Sequence, residues 1–170
     1  MKKLLLVLII AIVPLMAFAQ FQVGGTALYL SDITQISHSS VNASDFLFGL
    51  ENRAKLWIFQ ADAKALYMPD SMEPGILGLA DAGLSLNLLF IRVGALVGVN
   101  AIYDHTGLYT GSDLSTPYNV KATVDINLGG LSLGVEGGYF LESLSDIKDL
   151  GKIIKSNPPF VGVNLLLKLF

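Results

Sequence analysis

From about residue 21 onward, apolar and polar side chains alternate with period two along most of the chain. Successive strand residues point to opposite sides, so this pattern predicts strands with one apolar face each. Eight segments carry it. Residues 21–30 align Phe21, Val23, Gly25, Ala27 and Tyr29. Residues 44–51 align Phe46, Phe48 and Leu50. Residues 54–68 set Trp57, Phe59, Ala61, Ala63, Ala65 and Tyr67 against Gln60, Asp62 and Lys64. Residues 76–87 set Ile76, Ala80, Ala82, Leu84 and Leu86 against Asp81, Ser85 and Asn87. Residues 89–104 set Leu89, Ile91, Val93, Val97, Val99 and Tyr103 against Arg92, Gly94, Gly98 and Asn100. The cleanest is 118–128, where Tyr118, Val120, Ala122, Val124, Ile126 and Leu128 oppose Asn119, Lys121, Thr123, Asp125 and Asn127. Residues 131–142 set Leu133, Val135, Tyr139 and Leu141 against Ser132, Gly134, Glu136 and Gly138. Residues 160–170 set Val161, Val163, Leu165, Leu167 and Leu169 against Gly162, Asn164 and Lys168.

From Trp57 onward in the third segment, and along the whole of the other seven, the apolar face contains no Asp, Glu, Lys or Arg. Hydrocarbon imposes that rule, because a lipid-facing Arg or Lys costs about 2–4 kcal/mol at mid-depth. Aromatics gather near segment ends, at Phe21, Tyr29, Trp57, Tyr67, Tyr103, Tyr118 and Tyr139, as interfacial girdles require. The prediction is an all-β, eight-stranded antiparallel up-and-down barrel that crosses a membrane. The rival is a soluble lipocalin-like barrel, with the same alternation turned inside out. Bulky Leu and Phe on the second face of several segments count against it.

Composition narrows the class. Only 15 % of the 170 residues are charged, 52 % are hydrophobic, and mean hydropathy is +0.59. Such a chain is neither disordered nor a comfortable soluble globule. With no cysteine there is no disulfide framework and no lipoprotein anchor. A pI near 5.2 disfavours nucleic acid as a partner. Residues 1–19 read as a signal peptide: Lys2 and Lys3, an apolar run from Leu4 to Met16, and the small-x-small site Ala17-Phe18-Ala19. A retained membrane helix is the other reading, but the run is shorter than the roughly 20 residues needed to span. Residues 20–170 are then the barrel domain. The best later candidate for a spanning helix, 88–103, is too short and carries Arg92, Gly94 and Gly98.

Connections alternate short and long. Turns are expected near Asn52, near Asn87 and Leu88, and at Gly129-Gly130. Long connections are expected over 31–43, 69–75, 105–117 and 143–159. In the last, Ser145 is expected to cap a short helix with Ile147, Leu150 and Ile154 on one stripe. Termini and short turns share one side, so the long loops face outward and the termini are periplasmic.

Signal segment, eight segments, loop rhythm and terminal Phe170 together make the mature chain resemble the small eight-stranded bacterial outer-membrane barrels, of the OmpW-like and OmpX/OmpA-like types. The resemblance is one of architecture. It implies the outer membrane of a diderm bacterium, with outer-membrane lipid and the barrel assembly machinery as partners. Those barrels end in an aromatic on the apolar face, whereas Phe170 shares its phase with Lys168 and Asn164.

Eight strands leave a lumen just wide enough for side chains or one small ligand. The inward phase predicts a charged plug of Glu51, Asp62, Lys64, Asp81, Arg92, Lys121, Asp125, Glu136 and Lys168. Above it, toward the long loops, the same phase places Leu28, Leu30, Leu47, Leu66, Leu77, Leu79, Ile102 and Phe140. An apolar lumen over a charged floor suits binding or passage of a small hydrophobic ligand, the function the OmpW-like resemblance implies; plain core packing is the other reading of these residues. The alternative function is a non-transport surface barrel for adhesion or membrane integrity. A third is an outer-membrane acyltransferase resembling lipid A palmitoyltransferase, for which the loops offer His38, Asp70 and Ser71 but no N-terminal amphipathic helix. His105 beside Asp104 lacks further metal ligands. The expectation is therefore no enzyme, no metal and no cofactor.

Overall fold

A computed structural model describes residues 19–30, 45–69, 74–104, 106–149, 151, 153–154 and 158–169. Nine strands follow in order: β1 (Ala19–Tyr29), β2 (Phe46–Leu56), β3 (Phe59–Met68), β4 (Gly75–Leu88), β5 (Ile91–Asp104), β6 (Gly107–Thr110), β7 (Tyr118–Leu128), β8 (Leu131–Leu141) and β9 (Phe160–Lys168). All but β6 form one closed antiparallel barrel, in the order β4-β3-β2-β1-β9-β8-β7-β5, with β4 pairing β5 to complete the ring. The fold class predicted by the alternation is the one observed.

The registers define the closure. From Ala19 the pairing runs through Leu56, Phe59, Leu84, Ala95, Ala122, Gly137 and Val161, and returns to β1 at Tyr29. One circuit thus climbs about ten residues, a stagger that tilts the strands by roughly 35–45°. An even stagger is required here: an odd one would join the outward row of one strand to the inward row of the next. The rows therefore stay separate around the ring. Leu50, Val99, Val135 and Val163 stand exposed outside, while Glu51, Arg53, Thr123 and Asp125 are buried inside. The apolar face is the outer one, which excludes the inside-out arrangement.

Three tight turns join β2 to β3, β4 to β5 and β7 to β8. Their first residues, Trp57, Leu89 and Gly129, have φ of 56, 58 and 72°. Left-handed backbone at the first central position fits the right-handed twist of a hairpin, and glycine meets it without strain. Two expected turns move. β2 runs through Asn52 to Leu56 and turns at Trp57 and Ile58, because an Asn on the outward row interrupts the apolar pattern without interrupting the strand. The next turn is Leu89–Phe90 rather than Asn87 and Leu88, since the β4–β5 ladder continues to Leu88 opposite Ile91.

The connection over 105–117 carries a short strand and a 3-10 turn. β6 extends the far end of β5, and Asn100 fixes the point where β5 passes from β7 to β6: its Nδ2 donates to the Thr116 and Tyr118 carbonyls at 2.7 and 2.9 Å. In 143–159 the helical residues are a 3-10 run, Leu144–Asp149, and α-helical backbone at Gly151, Ile153 and Ile154. The start of the 3-10 run is fixed by Ser143, whose N–H donates to Asp146 Oδ2 at 2.9 Å and whose Oγ accepts from the Ser145 N–H at 3.2 Å. Ser145 is not the cap. Ile153 is buried and Ile154 exposed, the reverse of the expected stripe, and Leu150 lies outside the described residues. Leu141 has outward phase yet is fully buried. β1 begins at Ala19; the rest of the expected signal segment lies outside the described residues, as do Phe170 and residues 31–44.

Candidate functional site

The lumen holds the chemistry-bearing side chains in three tiers. At the end with the long connections, Leu28, Leu47, Leu66, Leu77 and Leu79 pack with Phe160, each at most 5 % exposed. Leu30, Met68, Ile102 and Phe140 close over them, and the Phe140 and Phe160 rings lie 4.9 Å apart. All eight residues expected from phase meet in this one cluster. Phe160 and Met68 complete it. Phe160 has the inward phase of Gly162 and Asn164, the signal that places it here.

The middle tier is ionic. β2 contributes Glu51 and Arg53, β3 Asp62 and Lys64, β4 Asp81, β7 Lys121 and Asp125, and β8 Glu136. Their neighbours along the ladders explain why they meet: Arg53 stands opposite Asp62, which stands opposite Asp81, and Glu51 stands opposite Lys64. Arg53 is the hub. Its guanidinium reaches Asp125 at 2.6 Å, Glu51 at 2.7 Å and Asp62 at 3.2 Å. Lys64 bridges Glu51 at 3.1 Å and Glu136. Lys121 spans Asp81 at 2.7 Å, Asp62 at 3.2 Å and Glu136 at 3.3 Å. Glycines make the room. A methyl at Gly98 would overlap the Asp81 carboxylate, and one at Gly134 would overlap Asp125 and Asn164.

Below this, at the end with the tight turns, the lumen sets the cations Arg92 and Lys55 among neutral amide side chains. Arg92 donates to Gln22 at 2.8 Å, Gln20 at 3.1 Å and Asn87 at 3.2 Å, and reaches Asp125 only at 4.0 Å. Lys55 donates to Asn87 at 2.6 Å. A polar cavity of about 170 Å³ opens here, with Gln22, Arg92, Asn127 and Lys168 on its walls.

Eight of the nine expected plug residues are in this network. Lys168 is not: it has the inward phase but stands exposed at the mouth. Two members escaped the sequence reading, Arg53 and Lys55, because a turn was placed at Asn52. Two signals pointed to them. They continue the phase of Glu51 by two and four residues, and without them the expected plug held more acids than bases. With them, among the described residues, the buried charged side chains are Glu51, Asp62, Asp81, Asp125 and Glu136 against Arg53, Lys55, Lys64, Arg92 and Lys121. The interior is neutral, as a region of low dielectric demands.

The arrangement binds charge to charge. Among the described residues no three His, Cys, Asp or Glu side chains converge as metal ligands, and the five carboxylates sit among Arg and Lys. Asp104 is committed to a turn, accepting from the Thr106 N–H at 2.7 Å and the Gly107 N–H at 3.2 Å. His38, Asp70, Ser71 and His105 lie outside the described residues.

Comparison with protein-family models, curated proteins and solved structures finds no match to this chain. The closed eight-stranded antiparallel barrel is compatible with a small outer-membrane barrel, and the likeness rests on architecture alone.

Proposed function

We propose that the chain is an integral outer-membrane barrel of a diderm bacterium that is sealed along its lumen and works as a non-transport surface protein, holding its long connections outside the cell. The observation that carries this reading is the filling of the interior through its upper and middle tiers. Above, leucine and phenylalanine bury one another; below them ten charged side chains neutralise one another. A conducting pore needs a wetted path, and both tiers oppose one: apolar packing excludes water above, and below it acids and bases from facing strands meet across the lumen instead of lining an open channel, although Ser85, Thr123 and Asn164 keep buried polar atoms without a hydrogen-bond partner among the described residues. Insertion is supported by the outward row. Leu50, Val99, Val135 and Val163 would leave an apolar belt in water around the whole ring, an aggregation liability for a soluble protein. Lipid covers that belt at no cost, and a closed barrel leaves no strand edge unpaired in hydrocarbon. Outer-membrane lipid and the barrel assembly machinery are the partners this implies. The three tight turns and both ends of the barrel lie at one end, which supports reading that end as periplasmic.

The second reading is binding or passage of small hydrophobic compounds. It is favoured by one observation, the convergence of all eight apolar residues over an ionic floor. Leu28 and Leu66 have no exposed surface, so a ligand enters only if one of the residues closing over them, Leu30, Met68, Ile102 or Phe140, swings away. Reconstituted barrel in planar bilayers and vesicles separates the two. The sealed reading expects no ion conductance and no saturable binding of an apolar fluorescent tracer. Saturable tracer binding that Phe140→Asp abolishes would establish the second reading instead, and unitary conductance steps would overturn the seal.

A further inference from the structure

The outward row of the eight barrel strands contains one polar side chain apart from the tyrosines at the long-connection end, and that side chain is Asn52. It is exposed, and it makes no side-chain hydrogen bond among the described residues. Its depth follows from the register. Asn52 stands opposite Val23 on β1 and Ala63 on β3, and Ala63 lies midway between Phe59 and Tyr67, the aromatic ends of its strand. Asn52 is therefore at the middle of the apolar wall. Around it the wall is shallow: Phe21, Ala54, Ala61, Ala63 and Leu169 edge a depression of about 380 Å³. Across the barrel, β7 and β8 present Val124, Ile126, Leu133 and Val135, with no polar group among them.

We propose that the β1–β3 face is the contact between two copies of this chain, centred on a pair of Asn52 side chains. The proposal rests on the reading of the barrel as membrane-spanning. In hydrocarbon an unpaired amide is costly, and acyl chains at mid-depth offer it neither donor nor acceptor. A primary amide carries both, so two copies related by a twofold axis satisfy each other through a reciprocal pair of hydrogen bonds. No other partner meets the requirement so economically: it would need its own polar group at the same depth. Small residues around Asn52 let two walls approach until the amides touch, as small residues do between membrane helices.

The test uses the full barrel in outer-membrane vesicles, with the photoreactive residue p-benzoylphenylalanine at Phe21, which edges the depression, and separately at Ile126, on the far wall. The expected result is an adduct between two copies from Phe21 and lipid adducts from Ile126. Adding Asn52→Leu should lower the dimer adduct about tenfold, the scale of one interhelical-type polar contact in a membrane, and raise lipid adducts in its place. Unchanged mobility shifts between boiled and unboiled samples show that Asn52→Leu still folds. Lipid adducts alone from both positions overturn the dimer and leave the membrane reading standing. Absence of lipid adducts from both overturns the two together.

Discussion

The two halves of the lumen are closed by opposite means, and the contrast says how each will fail. The leucine tier is held by non-directional burial. Any side chain of similar volume keeps it closed, and each residue removed leaves only its own void. The ionic tier is held by mutual neutralisation. Arg53 serves three carboxylates and Lys121 three more contacts, so one substitution strands several charges where water cannot reach them. The first region is tolerant and the second brittle, although both are buried.

Substitutions that separate these modes rank as follows. Arg53→Met has the largest expected effect, a loss of about 3–5 kcal/mol, because removing one partner leaves the others buried and uncompensated. Denaturant unfolding in detergent, followed by the single tryptophan Trp57, measures it. Adding Asp125→Asn restores neutrality and recovers part of the loss; an unchanged double variant would contradict the hub role. Leu66→Ala should cost about 2–5 kcal/mol through the cavity it leaves. Leu66→Met keeps the volume and should cost less than about 1.5 kcal/mol. If the methionine variant were as damaged as the alanine one, the tolerance of the upper tier would be wrong. Gly134→Ala forces a methyl against Asp125 and Asn164 and should cost about 1–3 kcal/mol by overpacking. Lys168→Met, at the open mouth, should stay within about 0.5 kcal/mol of the parent. A larger loss there would extend the ionic network to the rim.

Much of this was legible before any coordinates. Phase alone assigns the inside and outside of every barrel strand, since period two is a property of the chain itself. It placed Leu28, Leu66 and Phe140 together, and Glu51, Asp62 and Lys121 together. Depth was harder to read. Lys168 has the right phase but the wrong height, because height depends on the stagger between strands, and the stagger is set by eight pairings at once. Turn chemistry misleads at Asn87 and Leu88 by two residues, and with larger consequence at Asn52. Asn52 is a favoured turn residue on an otherwise apolar row, and reading it as a turn hid Arg53, the hub, and Lys55 beyond it. The tight turn in fact begins with Trp57 in left-handed backbone, a position usually given to glycine. The short helical run failed differently, because Ser143 and Ser145 offer the same capping hydroxyl and only the local geometry chooses between them.

The central claim is that the uncharged row meets hydrocarbon while the ionic row is sealed from it. The absence of native cysteine makes that directly measurable. Single cysteines at Val97, Val124 and Leu133, each carrying a small fluorophore, are placed in vesicles whose acyl chains bear bromine at mid-depth. The account predicts strong quenching by the brominated lipid at all three positions and almost none by aqueous iodide. Quenching by iodide with indifference to the brominated chains would contradict it.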